Sequence, residues 1–396
     1  MPGPHHDPRR RGVRGRGGRL RLRLAARRRD PDAPGRRRRP AGHRPAGRGD
    51  RPRTRRRHRG AAVGGHAVSA DGTGIPADVA LREAAERALP LLGIDAERLG
   101  PVAPGATTFA VDLVGGGRLA LRLRPVVDAD EGRVHGRAAW AQALAMAGVD
   151  VATPWTGPAG EEQVLLPGLA PDEQLRASAT WWCEGEGVTD LDADRARALG
   201  ATAARMHEQA SGWAAPEGAF AELLDPLAGY PELLTGALGD PRDVAVVETS
   251  LELAQTALSR AREHEVHVVH GDLRPDALLW QSGRDRPWVV DLDDAVLAPA
   301  AHDLAVATFA LRRSPDDDAP TALLAGYASV RPLPPLDDAT FEGLLAGRQL
   351  HLTSSLLASS TSALRPEVEA YLAATLVRLR TFLDDGVLDP RLTAQG

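Results

Sequence analysis

The sequence predicts an α+β protein with a small, strand-rich N-terminal lobe and a larger, mostly helical C-terminal lobe. Two alternating apolar runs flank three consecutive glycines at residues 115–117, and helical spacing dominates after residue 190. Two short apolar runs between those helices each lead into an aspartate. The 396 residues, 43% of them hydrophobic, are enough for two or three domains with their own cores.

The first 60 residues differ in charge from the rest of the chain. They hold 23 of the 49 basic residues and four aspartates, a net charge of +19, whereas residues 61–396 carry 26 basic and 49 acidic residues, a net charge of −23. Because these residues include few large apolar side chains, we predict a disordered arginine-rich leader over residues 1–70. Three interpretations of it stay open: a solvated tail, an extension that is not translated, and a tail that binds nucleic-acid phosphates.

The composition also excludes several kinds of site. All 49 basic residues are arginines, which excludes a Walker-type phosphate lysine and a Schiff-base lysine. The single cysteine, Cys183, excludes a disulfide framework and is compatible with a reducing cytoplasm. No stretch approaches the roughly 18 apolar residues of a membrane span. We therefore expect a soluble cytoplasmic protein, and the acidic charge of residues 61–396 argues against nucleic acid as a partner of the folded part.

The small lobe is predicted over residues 75–183. Residues 79–92 place apolar side chains at helical spacing, after which the period changes to two. The alternating runs 109–113 and 119–123 predict a β-hairpin that turns at the glycines. A helix is also predicted over residues 133–146, and two short apolar runs follow it at residues 164–166 and 179–183.

The larger lobe is predicted over residues 184–390. Its helices are predicted at residues 193–209, 243–263, 302–312, 319–328, 338–362 and 366–384. Residues 266–269 and 288–290 are predicted instead as short buried strands in a hairpin-like unit, and each leads into an aspartate. A carboxylate at the end of an apolar strand lies at the rim of a core, where functional sites are commonly built.

The two strand-end aspartates suggest a specific chemistry. Asp272 follows His270 and Gly271 after the first strand, and Asp291 follows the second. Phosphoryl transfer needs one carboxylate that orients the attacking hydroxyl and accepts its proton, and a second that holds the magnesium ion on the phosphates. We therefore expect Asp272 and Asp291 to face one cleft in these two roles. The alternative interpretation is that both aspartates cap turns or helices.

These motifs resemble the aminoglycoside phosphotransferase and homoserine kinase-like family of the protein-kinase-like superfamily. The resemblance covers about residues 95–385 and rests on His270-Gly271-Asp272, on Asp291 and on Asp303-Leu304-Ala305. It implies a bilobal protein-kinase-like fold and an ATP- and Mg²⁺-dependent phosphotransferase that acts on a hydroxyl of a small molecule. The acidic charge of the folded part favours a cationic acceptor.

The resemblance also implies a role for each matching residue. Asp272 would be the catalytic base, and His270 would support its loop. Asp291 would bind the metal, and Asp303 would hold the catalytic loop through backbone hydrogen bonds. The residues implied in nucleotide binding are Gly105, Thr107 and Thr108 over the phosphates, Arg122 in place of a lysine, and Trp182 and Cys183 beside the adenine.

Two positions depart from the family pattern. Ala277 stands where the family has an asparagine that binds a second metal ion, so Asp276 and Asp293 are the candidates for that role. Arg137 stands where the family offers a glutamate to the cation of the third strand, so we expect Arg137 and Arg122 to repel each other. Two hypotheses follow: a kinase that works with one well-held metal ion, and a catalytically degenerate relative that binds a ligand or a partner.

Overall fold

The computed structural model describes residues 77–103, 106–126, 131–169, 173–230, 232–359 and 365–394. The predicted leader, residues 1–70, and Gly105 of the predicted phosphate loop lie outside these described residues. Within the described part of the chain, no helix is both long and apolar enough to cross a membrane.

An antiparallel sheet with two helices forms the N-terminal part of the fold. Its elements are α1 (Ala77–Leu91), β1 (Ala96–Pro101), β2 (Thr108–Leu113), β3 (Arg118–Pro125), α2 (Glu131–Met146), β4 (Gln163–Pro167) and β5 (Gln174–Trp181), with the strand order β1-β2-β3-β5-β4. The predicted hairpin is confirmed, because β2 and β3 pair antiparallel with Phe109 opposite Leu121. The three glycines between them all adopt positive φ, which other residues rarely do.

The two faces of this sheet have different partners. Leu119, Leu121 and Leu123 of β3 are fully buried against α1 and the neighbouring strands. Since side chains alternate across a strand, Arg122 and Arg124 lie on the opposite face. The hydrophobic pattern of β3 therefore places two guanidinium groups side by side on one face of the sheet.

The C-terminal part of the fold is mostly helical, as predicted. Its elements are β6 (Glu186–Gly187), α3 (Ala193–Ser211), α4 (Leu234–Ala237), α5 (Pro241–Ala261), β7 (Val266–Val269), β8 (Leu278–Trp280), β9 (Trp288–Val289), β10 (Val296–Pro299), α6 (Ala300–Leu311), α7 (Ala319–Ala328), α8 (Asp338–Ser359) and α9 (Arg365–Asp385). The side chain of Asp192 accepts a hydrogen bond from the backbone N–H of Arg195 and fixes the start of α3. Asp240 caps α5 in the same way.

The strands that lead into the two aspartates belong to different small sheets. β7 pairs with β10, whereas β9 pairs with β8 in the order β6-β8-β9. The prediction that residues 266–269 and 288–290 form a hairpin-like unit is therefore wrong, because these two strands do not pair with each other. The reason is that a 3₁₀ turn, Pro275–Ala277, reverses the chain after Asp272, and the buried strand that follows it is the partner of β9.

Candidate active site

Asp303, in the first turn of α6, holds the loop that carries Asp272. Its carboxylate is fully buried and accepts hydrogen bonds from the backbone N–H groups of His270 and Gly271, both at 2.9 Å. These are the backbone contacts that the resemblance implied for Asp303. Gly271 has a φ of +84°, and a Cβ atom there would overlap the carbonyl oxygen of Asp294. The backbone path between His270 and Asp272 thus requires glycine at position 271.

A chain of buried polar groups lies behind Asp303. The ring of His207 lies between Asp303 Oδ2 and the hydroxyl of Tyr327, at 3.1 Å from each. Because a carboxylate only accepts, His207 Nε2 donates to Asp303. Burial raises the pKa of Asp303, but the hydrogen bond from His207 and the charges of His207, His270 and His302 together lower it by more, and the resulting pKa is about 2. Asp303 is therefore a charged anchor for the loop, held in place by three donors.

The carboxylate of Asp272 lies between two arginines. Arg274 Nε donates to its Oδ2 at 2.7 Å, and Arg348 of α8 donates to its Oδ1. Burial raises the pKa of Asp272, whereas Arg348 and Arg274 lower it by more, so the pKa lies below its usual range. The side chain still keeps 21% of its surface exposed. Asp272 is thus ionised and reachable from solvent, as a proton acceptor must be.

Asp291 and Asp293 form a second acidic group that faces the sheet. Arg122 Nη1 lies 2.9 Å from Asp291 Oδ1 and 3.1 Å from Asp293 Oδ2, and Arg124 pairs with both carboxylates. Burial raises the pKa of Asp291, but Arg122 and Arg124 bring it well below its usual range. The pKa of Asp293 is raised by burial and by its neighbour Asp291, despite Arg124. Asp291 is therefore ionised, and 34% of its side chain is exposed.

The backbone at Asp291 supports a functional role. It adopts a left-handed conformation with φ 62° and ψ 61°. Among the described non-glycine residues, only Ala228 also has a positive φ. Such conformations are costly for side chains with a Cβ atom and cluster at functional sites.

The two acidic groups share one electrostatic environment. Asp272 and Asp291 both raise the pKa of Arg274, although burial is the largest influence on that pKa and lowers it. Their loops also touch, because the ring nitrogen Nε2 of His270 lies 3.2 Å from the carbonyl oxygen of Val290. Neither carboxylate makes a side-chain cap hydrogen bond to the 3₁₀ turn that follows it.

The structure shows what surrounds Ala277 and Arg137, the two residues that depart from the family pattern. The Ala277 side chain is buried and has no group that could bind a metal ion. Asp276, one of the candidate replacements, accepts a hydrogen bond from Arg274 at 2.8 Å, and Asp293, the other, lies among the arginines of β3. Arg137 lies 3.7 Å from Asp293. Burial is the largest influence on the pKa of Arg137 and lowers it, and the charge of Arg124 lowers it further. Arg122, Arg124 and Arg137 therefore lie around the pair Asp291 and Asp293. The family pattern has one cation paired with a glutamate in this place.

The remaining predicted nucleotide-binding residues lie along the sheet. The carbonyl oxygen of Thr107 accepts from the backbone N–H of Leu123 at 2.8 Å, and that of Thr108 from Val102 at 3.0 Å. The backbone N–H of Trp182 already donates to the carbonyl oxygen of Arg118. Cys183 is buried, and burial raises the pKa of its thiol to about 11. Their roles toward a nucleotide stay predictions.

The acidic groups fit magnesium better than a transition metal. No three or more His, Cys, Asp or Glu side chains within the described ranges are placed to hold a metal ion by themselves. Magnesium, however, is commonly held by one or two carboxylates together with water and substrate phosphates. Asp291 and Asp293 offer hard oxygen donors, and Asp291 is partly exposed. The donor set therefore fits a magnesium ion that binds together with a phosphate ligand.

Several residues of the site were not found from the sequence. Arg124 has a signal, because strand alternation puts it on the same face as Arg122. Arg274 lies inside the catalytic motif but has no partner that the sequence reveals. Arg348 has no local signal, since its partner Asp272 lies 76 residues away.

Comparison with known proteins gives a consistent picture. Residues 101–337 match the model of the phosphotransferase enzyme family. A homoserine kinase from Gluconobacter oxydans (strain 621H) is 29% identical over 179 residues, which are 43% of this chain and 55% of the relative. The chain thus spans about half the length of this curated relative.

Solved structures of kinases share the fold. An aminopropanol kinase associated with a microcompartment aligns with a TM-score of 0.65 and 20% identity over 79% of this chain and 100% of its own. An amicoumacin kinase, solved in complex with AMP-PNP, Ca²⁺ and Ami, aligns with a TM-score of 0.60 and 16% identity over 79% of this chain and 95% of its own. At such identities the likeness concerns the fold, and it confirms the predicted bilobal kinase-like architecture.

Proposed function

The chain belongs to the phosphotransferase enzyme family, and on that premise we propose that it transfers a phosphoryl group from ATP to a hydroxyl of a small molecule. The observation that carries the proposal is the convergence of Asp272 and Asp291, two partly exposed carboxylates on adjoining loops that Asp303 and His270 hold together. Positioning and electrostatics supply most of the catalysis in phosphoryl transfer, so such a rigid arrangement is what the reaction requires.

Each carboxylate has a distinct task. Asp272 accepts a hydrogen bond from the acceptor hydroxyl, orients it and takes its proton. Asp291, with Asp293 beside it, would hold a divalent cation, for which Mg²⁺ is the proposed ion. When bound, that cation would neutralise charge on the nucleotide phosphates.

The arginines of β3 act on the phosphate side. Arg122 and Arg124 each present a planar fork of donors that matches phosphate oxygens. They pair with Asp291 and Asp293 in the structure. With a nucleotide and its cation bound, Arg122 and Arg124 would contact phosphate oxygens, and Asp291 and Asp293 would hold the cation. The amicoumacin kinase with its bound AMP-PNP and Ca²⁺ supports a nucleotide and a divalent cation as ligands.

A thermal-shift titration tests this proposal. We expect ATP with Mg²⁺ to raise the melting temperature. At a ligand concentration 100 times the Kd, binding adds about 2.7 kcal/mol to the free energy of unfolding. ATP without a divalent cation should have a much smaller effect, and Asp291→Ala should remove the difference. ATP consumption in the presence of a panel of hydroxylated metabolites then identifies the acceptor. Failure of ATP to stabilise the protein under any metal condition contradicts the proposal.

A specific observation favours a second candidate, a degenerate relative that binds ligands without phosphorylating them. Ala277 removes one metal ligand, and arginines already neutralise Asp272, Asp276 and Asp291. Under this alternative, the nucleotide stabilises the protein equally with and without Mg²⁺, and no acceptor in the panel leads to ATP consumption.

A further inference from the structure

The acceptor side of Asp272 is cationic. Arg348 comes from α8, a helix that follows the nucleotide-binding elements by more than 150 residues, and reaches Asp272 with only 7% of its side chain exposed. His302 lies next to it, with Nε2 at 3.2 Å from the carbonyl oxygen of Gly271. His351 follows Arg348 by one turn of α8 and is influenced by the same charges. Burial lowers the pKa of His302 and lowers that of His351 to about 4, so Arg348 and not either histidine supplies the positive charge here, and Asp294 is an acidic neighbour of Asp272.

Arg348 has far more hydrogen-bonding capacity than the structure uses. Asp272 is its one hydrogen-bonding or ion-pair partner among the described residues. A guanidinium has five N–H donors. No nitrogen of Arg348 is among the fully buried, unpartnered side-chain atoms of the described residues, so its remaining donors are reachable from solvent. Arg312 shows what a structural arginine does in this fold: it donates to both oxygens of Glu342 and to the carbonyl oxygen of Leu388.

From this difference we infer that Arg348 binds a carboxylate of the acceptor, so that the substrates are small hydroxy acids. The inference rests on the proposed function and names the substrate class of the same site. A carboxylate matches the planar fork of a guanidinium bidentately. Bound there, it fixes the acceptor beside Asp272, so the hydroxyl a few bonds away reaches the base in one orientation.

The binding of a carboxylate also bears on the base itself. Arg348 and Arg274 lower the pKa of Asp272 against the effect of burial, which makes Asp272 a weaker base. A carboxylate that takes up donors of Arg348 reduces this effect at the moment when the acceptor is present. The acceptor would then strengthen the base that deprotonates it, whereas water alone would not.

The local charges outweigh the charge of the whole chain. The net charge of −23 over residues 61–396 favours a cationic acceptor at long range. At physiological ionic strength, however, charges beyond about 8 Å are largely screened. Contacts at hydrogen-bond distance therefore decide the affinity, and at Asp272 they come from Arg348 and Arg274. A cationic acceptor is the competing outcome of the experiment.

Matched acceptor pairs that differ by one carboxylate provide the test. The pairs are L-homoserine with 3-aminopropan-1-ol, L-serine with 2-aminoethanol, and glycerate with ethylene glycol. Their Kd values are measured by calorimetry on the full chain with Mg²⁺ and a non-hydrolysable ATP analogue. We expect at least one hydroxy acid to bind more tightly than its partner by about tenfold to a hundredfold, the range of a charged hydrogen bond.

Variants assign the preference to Arg348. Arg348→Gln should abolish it, and Arg348→Lys, which keeps the charge without the fork, should restore part of it. Arg274→Gln should lower turnover for all acceptors while leaving the carboxylate preference in place. Arg380→Gln, at a half-exposed arginine of α9 that pairs with Asp243, is the matched control and should change neither.

Three results overturn the inference: no hydroxy acid binds, the carboxylate-free member of every pair binds as tightly or more tightly, or the preference survives in Arg348→Gln. Nucleotide affinity, measured in the same samples, separates this failure from that of the proposed function. Metal-dependent nucleotide binding with no carboxylate preference removes the inference alone. Loss of nucleotide binding by the wild-type protein counts against the proposed function instead. Circular dichroism of each variant confirms that it is folded, and Arg348→Lys keeps the test valid if Arg348→Gln is not.

Discussion

The backbone N–H of Val290 donates a hydrogen bond to the carbonyl oxygen of Ala277 at 3.2 Å. The same pairing continues into β8 and β9, where Leu278 lies opposite Val289. Residue 277 is thereby held beside the strand that leads directly into Asp291. The position at which the family has a metal-binding asparagine is thus in register with the acidic group, and only its side chain lacks a donor.

Restoring that donor should strengthen metal binding. We expect Ala277→Asn to lower the Mg²⁺ concentration needed for half-maximal stabilisation by ATP about tenfold, because an added oxygen ligand supports the ion. A thermal-shift titration of Mg²⁺ at fixed ATP measures the change. Ala277→Val adds a branched apolar side chain closer in size to asparagine but without a ligand, and it serves as the control. Equal behaviour of the two variants would show that another group already fills the second metal position.

Loss of the proposed base should affect chemistry and not binding. Asp272→Asn keeps the shape of the side chain but cannot accept the hydroxyl proton as a carboxylate does. We expect kcat to fall about 10²- to 10⁴-fold, with the Kd for ATP changed by less than about threefold. Asp243→Asn, at a carboxylate that pairs with Arg380 outside the site, is the matched control and should retain most of the turnover. A comparable loss in both variants would mean that the effect is not specific to the proposed base.

The backbone at Gly271 provides a test of the loop geometry. We expect Gly271→Ala to destabilise the protein by about 1–3 kcal/mol in urea unfolding, because of its φ of +84° and the overlap of a Cβ atom with Asp294. Gly283 has nearly the same φ, +82°, and a Cβ atom added there would meet no other atom within 4 Å. Gly283→Ala therefore isolates the backbone cost, and a smaller loss there assigns the remainder to the contact with Asp294.

Buried histidines should make the stability depend on pH. Burial and the neighbouring His207 lower the pKa of His267 from 6.5 to about 4. The unfolded chain therefore binds a proton near pH 6.5 that the folded protein does not take up, so stability is full above pH 6.5 and falls as the pH approaches 4. At most about 3 kcal/mol is involved. Urea unfolding of wild type and His267→Gln between pH 4 and 7 measures this, and parallel curves for the two proteins would contradict it.

Sequence patterns predicted most elements of the fold for identifiable reasons. The hairpin of β2 and β3 has strict alternation and three turn glycines, and the long helices have regular apolar spacing. β1 was not predicted, because Ala96–Pro101 is a sheet edge whose residues show no alternating burial. An edge strand obtains its structure from its neighbour, which in this case is β2.

The site was predictable where function and local sequence coincide. Asp272 and Asp291 were found because each follows a short apolar strand, and Asp303 because it belongs to a recognisable motif. The pairing of the small strands and the position of Arg348 depend on contacts between distant segments, for which a single sequence has no signal. The sequence predicts repulsion between Arg137 and Arg122, whereas Asp293 lies close enough to Arg137 to offset it.

All basic residues of the chain other than histidine are arginines, and this affects how the candidate active site behaves in alkaline solution. Guanidinium groups keep their charge up to a pH above about 12, whereas lysine ammonium groups begin to lose theirs about two units lower. The cations around Asp272 and Asp291 therefore remain charged throughout the range in which enzymes are ordinarily assayed. A decline of activity on the basic side would then have to originate in the acceptor, the nucleotide or the overall fold, and not in neutralisation of these side chains.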